Sequence, residues 1–179
     1  FYARIRVNTV DRELLILMKK AGCVSISFGI ESGSERVLKA IKKNISLKQI
    51  IKVSKICNDL KFFTKGFYIV SLPKEKYKNV LTTFKLMYLL KKEFNVNYSF
   101  GITMVYPGTD LERELISNKI IPPNFEWNRF YKKIYINKFI KFLNSKFFNF
   151  HPQEYYYPKL NILLIKLLHY IYFSVIHRK

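Results

Sequence analysis

Short apolar runs alternate with helix-forming segments through the first two thirds of the chain, and this rhythm constrains the fold most. Residues 3–7, 24–28, 67–70 and 97–105 are predicted strands. Helical periodicity fills the intervals, the longest helix is predicted at about residues 76–92, and the predicted N-terminal caps are Asp11, Ser34, Ser46 and Thr109. This order predicts an α/β fold with a parallel sheet and right-handed crossovers. Periodicity alone does not separate an open sheet from a barrel.

Composition narrows the class of protein. The chain has 179 residues, enough for one domain with a sizeable core, and 49% of them are apolar, which excludes a disordered chain. The net charge is +20, from 32 basic and 12 acidic residues. The basic residues are spread along the chain, and the abundance of Lys, Asn, Ile, Phe and Tyr is typical of AT-rich genomes. We interpret the charge as compositional drift, with nucleic acid or an anionic membrane surface as the alternative partner.

The two cysteines indicate the redox compartment of the protein, and the first residue indicates whether the sequence begins at a domain boundary. Cys23 and Cys57 are too few and too far apart for a zinc module. We expect both to be buried free thiols in a cytoplasmic protein. The chain starts at Phe1 with no signal or transit sequence before the first apolar run, and we expect a fragment that begins inside a domain.

The character of the sequence changes from about Pro122, where aromatic side chains interleave with Lys and Asn. We predict one domain at residues 1–120 and a helical, aromatic-rich C-terminal extension at residues 121–179. Its last helix, at about residues 160–176, falls short of a transmembrane span, and we expect it to pack on the flank of the domain. Binding of the basic, aromatic tail to RNA or to a membrane surface is the alternative.

Candidate ligand-binding residues follow the second predicted strand, where Glu31 lies in a glycine-bracketed turn beside two serines. Ligands of parallel α/β folds gather at the carboxyl ends of the strands. There Glu31 can accept hydrogen bonds from ribose hydroxyls or an ammonium group, and the helix capped by Ser34 can present amides to an anion. Glu31 could also only steady the loop. A doubly wound nucleotide domain ranks lower, because Gly29 and Gly33 form neither GxGxxG nor a P-loop.

Three motifs in order resemble the radical SAM (S-adenosylmethionine) superfamily, and most of all the branch paired with a cobalamin-binding domain. They are Gly29-Ile30-Glu31-Ser32-Gly33-Ser34 with its flanks from Ala21 to Lys43, the strand and turn from Gly66 to Glu75, and Tyr106-Pro107-Gly108-Thr109. The resemblance covers roughly the first 130 residues. It implies a partial TIM-like (β/α) barrel with a helical, aromatic-rich C-terminal tail.

The resemblance also implies an activity and a site. Such enzymes hold a [4Fe-4S] cluster in a CxxxCxxC loop and cleave SAM reductively to a 5′-deoxyadenosyl radical, which starts chemistry on a substrate that the resemblance does not identify. Methyl transfer, ring formation and thiolation are the expected reaction types, with cobalamin from an upstream domain as a further expectation. Glu31 matches a position that contacts SAM, Lys43 one that approaches its carboxylate, and Arg6 a basic position facing the barrel top. Ser34 is the fourth expected cofactor-binding residue.

Departures from the family pattern limit this interpretation. The sequence has no CxxxCxxC, so the cluster ligands would lie outside this chain, and we expect the chain alone to be inactive. Ser71 and Lys74 stand where that branch usually carries glycine. Lys43 stands where Arg is frequent, and Lys lacks the bidentate fork. A vestigial or non-catalytic barrel module is therefore the alternative function.

Overall fold

The computed structural model describes residues 1–119 and 162–175. The elements are β1 (Tyr2–Ile5), α1 (Arg12–Lys20), β2 (Ser25–Glu31), α2 (Glu35–Ala40), α3 (Leu47–Asp59), β3 (Phe63–Val70), α4 (Tyr77–Phe94), β4 (Asn97–Ile102), α5 (Asp110–Ser117) and α6 (Ile162–Tyr170), followed by a π-helical segment (Ile171–Val175). Two compact units divide the chain: one is Phe1–Ile102 with Lys159–Lys179, and the other is Thr103–Pro158. The first unit holds the sheet and the candidate site.

The four strands form one parallel sheet in the order β1-β2-β3-β4. Sequence order and spatial order are the same, so the sheet that the described residues form has no point at which the strand order reverses. A doubly wound nucleotide domain needs such a reversal, and this rival fold is therefore wrong. The predicted α/β class with a partial TIM-like barrel is confirmed, because a barrel segment winds in one direction with its helices on one side.

Helices cover one face of the sheet, whereas the other face is partly accessible. On the outer face, which the helices cover, Ile26, Phe28 and Ile30 of β2 are at most 1% exposed. The alternate residues, such as Ser27 and Gly29, face the other way and remain partly accessible. We call this second side the inner face, since it corresponds to the inside of a barrel.

The strand bounds differ from the prediction at several ends. β2 continues to Glu31, three residues beyond the predicted end, and β3 begins at Phe63 instead of residue 67. β3 begins earlier because Gly66 does not break the strand. A Cβ at Gly66 would lie 2.9 Å from Ile30 Cδ1, so this glycine allows close packing. β1 and β4 end earlier than predicted, at Ile5 and Ile102.

Helix starts follow the predicted caps. Asp11 accepts a hydrogen bond from the Leu14 amide at 2.8 Å, and Ser46 forms a reciprocal capping box with Gln49. Ser34 occupies the N-cap position of α2, but its side chain makes no capping hydrogen bond.

The last described helix packs on α4 and β4. Ile165 is fully buried, and the ring of His169 lies 4.6 Å from that of Phe100 and 5.3 Å from that of Phe84. Burial lowers the pKa of His169 below its ordinary value. The predicted packing of this helix on the flank of the domain is confirmed, and no helix in the described ranges is long and apolar enough to cross a bilayer.

Much of the predicted aromatic extension lies outside the described residues, since residues 120–161 and 176–179 are not among them. The proposed division at residue 120 and the RNA-binding or membrane-binding tail therefore stay predictions.

Candidate functional site at the carboxyl end of the sheet

A bulge at the end of β2 sets the direction of Glu31. The pairing with β3 shifts between Gly29 and Glu31, so Ile30 is an extra residue in β2. The Ser32 amide donates to the Ile30 carbonyl at 2.9 Å, which closes a three-residue turn around Glu31. The φ of Glu31 is 67°, and a turn of this kind with positive φ at its centre is rare and strained. Strained backbone of this sort is concentrated at functional sites.

Glu31 forms an ion pair with Lys43, the second predicted cofactor-binding residue. Lys43 Nζ donates to Glu31 Oε1 at 2.7 Å, and the side chains of Lys43 and Glu31 are only 20% and 15% exposed, respectively. Gly29 makes room for the pair. A Cβ on Gly29 would lie 2.4 Å from Glu31 Oε1 and 3.0 Å from Lys43 Nζ. The carboxylate therefore folds back over the inner face of β2.

Arg6, just beyond β1, supports the loop that carries Lys43. Its Nη2 donates to the Lys43 carbonyl at 2.9 Å, while most of the side chain is exposed. Lys42 and Asn44, on either side of Lys43, both have left-handed φ values of 53° and 52°. The turn and the Arg6 contact together bring Lys43 to Glu31, so three of the four predicted residues form one cluster.

Ser34 belongs to a second network. Its side chain is buried, and its Oγ accepts a hydrogen bond from Asn79 Nδ2 of α4 at 3.0 Å. In the same network Thr83 Oγ1 accepts from the Gly33 amide at 2.9 Å and lies 3.2 Å from Ser32 Oγ. This network fixes the turn that follows Glu31.

Asn79 and Thr83 were not predicted from the sequence. They lie four residues apart on a buried side of α4 that is otherwise largely apolar. Polar residues at that spacing are the signal that could have identified them, because buried polar groups in proteins are nearly always hydrogen-bonded.

Asn79 also joins the β2–α2 turn to the loop between β3 and α4. Its Oδ1 accepts from the Lys76 amide at 2.9 Å and from Arg36 Nη2 at 3.0 Å. The same Arg36 nitrogen donates to the Lys74 carbonyl at 2.7 Å. Two loops at the carboxyl edge of the sheet are therefore held together by one amide and one guanidinium.

Replacing Thr83 by Val tests the network with almost no change of shape. We expect Thr83→Val to lower the free energy of unfolding by about 2 kcal/mol, because the Gly33 amide and the Ser32 hydroxyl lose a buried partner. Thr83→Ser keeps the hydroxyl and should cost about 1 kcal/mol or less. Urea titrations followed by circular dichroism measure both, and equal losses in the two variants would contradict a hydrogen-bonding role.

The loop after β3 contains two residues in the left-handed region. Ser71 and Lys74 have φ values of 65° and 61°, and these are the two positions where the resembling branch usually carries glycine. Glycine adopts this conformation without the Cβ clash that L-residues suffer. Both residues therefore adopt a backbone conformation that favours glycine, although neither of them is glycine.

Lys74→Gly is expected to stabilise the chain by about 0.5–1 kcal/mol, since Lys74 is exposed and its φ favours glycine. Lys85→Gly is the matched control, because Lys85 is exposed in the middle of α4 and glycine there should cost about 1 kcal/mol. Thermal unfolding distinguishes the two. A loss of stability in Lys74→Gly would show that the strain argument is wrong.

Glu75 is a buried carboxyl group in the same loop. It is 1% exposed, its Oε2 accepts from the Leu72 amide at 3.2 Å, and its Oε1 has no hydrogen-bond partner among the residues that the structure describes. Burial raises the pKa of Glu75 to about 7, although the Leu72 and Ser71 amides act in the opposite direction. The neutral form therefore prevails in the folded chain below neutral pH.

This raised pKa predicts the pH dependence of stability. Between pH 4.5 and about 7 the folded chain keeps a proton that the unfolded chain releases, so stability falls as the pH rises through this window. Glu75→Gln cannot ionise and should be more stable than the native chain at pH 8 by up to about 3 kcal/mol, with little difference at pH 4.5. Urea titrations across this pH range measure the effect. The same pH dependence of the free energy of unfolding in both chains would contradict it.

The cysteines do not fit an iron–sulfur cluster. Cys23 and Cys57 are both free and at most 1% exposed, as predicted. Burial, and to a smaller extent Cys23, raises the pKa of the Cys57 thiol to about 12, whereas cluster ligands are thiolates. No group of three or more His, Cys, Asp or Glu side chains that could hold a metal ion occurs in the part of the chain that the structure describes.

The profile of the radical SAM superfamily matches residues 4–87, which span from β1 into α4 and include the Glu31–Lys43 pair. Residues 4–87 are a radical SAM segment. The superfamily uses S-adenosylmethionine and a [4Fe-4S] cluster as cofactors. The carboxylate and ammonium of the Glu31–Lys43 pair suit the first of these, since SAM carries ribose hydroxyls, an ammonium group and a carboxylate.

Relatives and solved structures agree with this family. An uncharacterized methyltransferase of Pyrococcus horikoshii is 34% identical over 120 residues, which are 66% of this chain and 25% of that protein. A protein of Methanocaldococcus jannaschii named as a methylthiotransferase is 27% identical, over 72% of this chain and 27% of its own length. The chain thus spans about a quarter of the length of these relatives.

The radical SAM methyltransferase TsrM of Kitasatospora setae, solved with cobalamin and a [4Fe-4S] cluster bound, superposes with a TM-score of 0.57 at 16% identity. The match covers 65% of this chain and 23% of TsrM. At this identity the structural likeness shows the fold alone, and it agrees with a partial barrel.

Proposed function

We propose that this chain is the SAM-binding segment of a radical SAM enzyme and that Glu31, Lys43 and Arg6 form the part of the site that it contributes. The Glu31–Lys43 ion pair carries the proposal. It lies at the carboxyl end of a parallel strand, over a glycine, on a strained turn.

Each residue has a separate task in this proposal. Glu31 accepts hydrogen bonds from the ribose hydroxyls or the ammonium group of SAM, and Lys43 presents a positive charge to its carboxylate. Arg6 holds the Lys43 loop through the 2.9 Å bond to its carbonyl. Ser34 acts indirectly, through the turn that Asn79 and Thr83 hold. Bound SAM supplies the 5′-deoxyadenosyl group, while these residues bind and orient it.

The reaction of the whole protein is proposed from its relatives. Two are named for methyl or methylthio transfer, which favours transfer of such a group to an unreactive carbon. We propose that the cluster ligands, and a cobalamin-binding domain, belong to a longer protein, and that this chain alone is inactive. The two free thiols favour a reducing, cytoplasmic compartment.

The test is the protein extended upstream in the same reading frame. If that extension carries a CxxxCxxC loop, anaerobic cluster reconstitution should give a protein that forms 5′-deoxyadenosine from SAM, and Glu31→Gln should lower that rate at least about tenfold. An extended, cluster-loaded protein that forms no 5′-deoxyadenosine would overturn the enzyme proposal and favour the non-catalytic module.

A further inference from the structure

Two cations flank β2 on the inner face of the sheet. In the strand register Arg4 of β1 pairs with Ser27 of β2, and Ser27 pairs with Lys65 of β3. The three residues therefore form one row across the sheet, with the cations two strand spacings apart, about 10 Å between their Cα atoms. Both cationic side chains are exposed.

An aromatic ring brings the two cations together. The Arg4 guanidinium carbon lies 5.7 Å from the centroid of the Phe67 ring, and Lys65 Nζ lies 5.3 Å from it. Phe67 pairs with Gly29, so Arg4 reaches across β2 beside the small residues Ser27 and Gly29, and the Glu31–Lys43 pair lies over Gly29. We call the strip of the inner face between Arg4 and Lys65, which has Ser27 at its floor, the trough.

Neither Arg4 nor Lys65 forms an ion pair with an acidic residue of the four described strands. Glu31 is the only acidic residue at an inner-face position of the four strands, and it is paired with Lys43. Within residues 1–119 and 162–175 the ion pairs are Arg12–Asp59, Lys43–Glu31 and Arg113–Asp110, so neither Arg4 nor Lys65 has an acidic partner there.

Arg4 and Lys65 need a negatively charged partner if the inner face is enclosed. When a barrel surrounds this face, Arg4 and Lys65 lose water, and an unpaired charge in such surroundings is costly. A guanidinium and an ammonium on either side of a small-residue floor suit the oxygens of a phosphate, phosphonate or carboxylate group. Ser27 lies two residues of β2 below Gly29, at about 7 Å along the strand, and the Glu31–Lys43 pair lies over Gly29, so a ligand of the trough adjoins the groups that Glu31 contacts.

We propose that Arg4 and Lys65 form an oxyanion-binding subsite that recognises an anionic group of the substrate, deeper on the inner face than the SAM site. This proposal rests on the proposed function, because it assigns the ligand of the trough as substrate. It makes Arg4 and Lys65 determinants of substrate class, and it gives the inner face a preference for phosphorylated, phosphonate or carboxylate compounds.

The test uses inorganic phosphate and acetate as probes with the 179-residue chain, followed by amide chemical shifts in NMR titrations. Phosphate should shift the amides of Ser27, Gly29 and Phe67 in the native chain. Arg4→Gln combined with Lys65→Gln should weaken phosphate binding at least about tenfold. The matched control is Lys52→Gln with Lys55→Gln, which removes two charges from α3 and should change binding less than about twofold. Stronger binding of acetate than of phosphate would identify the anionic group as a carboxylate.

Two results would overturn the subsite. One is equal phosphate binding by the native chain and the Arg4/Lys65 variant, and the other is an equal loss in the α3 control, which would trace binding to net charge. A SAM titration of the same samples separates this proposal from the proposed function. Loss of SAM binding in Glu31→Gln with phosphate shifts retained supports two sites, whereas phosphate binding in a chain that never binds SAM removes the proposed function and leaves the anion site.

Discussion

Gly33→Ala is expected to destabilise the chain by about 3 kcal/mol or more, a large loss of stability for the addition of a single methyl group. A Cβ at Gly33 would lie 2.7 Å from the Thr82 carbonyl oxygen and 2.7 Å from the Thr83 Cα, both backbone atoms of α4. Backbone within a packed helix cannot move aside as a side chain can. The turn would have to leave α4, which would also break the Gly33–Thr83 hydrogen bond.

Gly101→Ala is the matched control for this effect. Gly101 lies in β4, a Cβ there would meet nothing within 4 Å, and we expect a change of less than about 0.5 kcal/mol. Guanidinium titrations monitored by circular dichroism measure both variants. If Gly33→Ala were as stable as Gly101→Ala, the close approach of the turn to α4 would be wrong.

Gly29→Ala is expected to have the opposite profile, with a large effect on binding and little on stability. The added Cβ meets only the ends of the flexible Glu31 and Lys43 side chains, which can move. Alanine is also acceptable at this β2 position, so we expect the free energy of unfolding to change by less than about 1 kcal/mol. The ion pair, however, must leave the inner face, and SAM affinity should fall about tenfold or more.

Parallel measurements on one sample of Gly29→Ala give both quantities, unfolding by denaturant and SAM affinity by NMR titration. The expected pattern is a nearly native unfolding midpoint with weakened binding. Native-like affinity for SAM in this variant would show that the position of the ion pair over Gly29 is irrelevant to the ligand.

Local patterns were enough to predict much of the fold. The caps at Asp11 and Ser46 depend on hydrogen bonds within three residues, and the sequence identifies such contacts directly. Glu31 was found because a carboxylate in a glycine-bracketed turn after a strand is a local feature. The strand order, which distinguishes a barrel segment from a doubly wound sheet, needed the structure, since periodicity carries no information on winding direction.

The missed parts of the site depend on distant contacts. Thr83 meets Ser32 across 51 positions of sequence, and Asn79 meets Ser34 across 45. The predicted cap at Ser34 is wrong at the side-chain level, since its hydroxyl oxygen accepts from Asn79 and makes no capping hydrogen bond. The pairing of Glu31 with Lys43 also depends on the bulge and on two left-handed residues around Lys43, whose conformations the residue types alone do not predict.

SAM binding to the chain and to its ion-pair variants tests the central claim most directly. In NMR titrations with SAM, the native chain should show saturable shifts at residues around Glu31 and Lys43, and Glu31→Gln and Lys43→Gln should each weaken the affinity about tenfold. Lys52→Gln on α3 should bind like the native chain. Equal SAM affinity in all four proteins would contradict a cofactor site at the carboxyl end of β2.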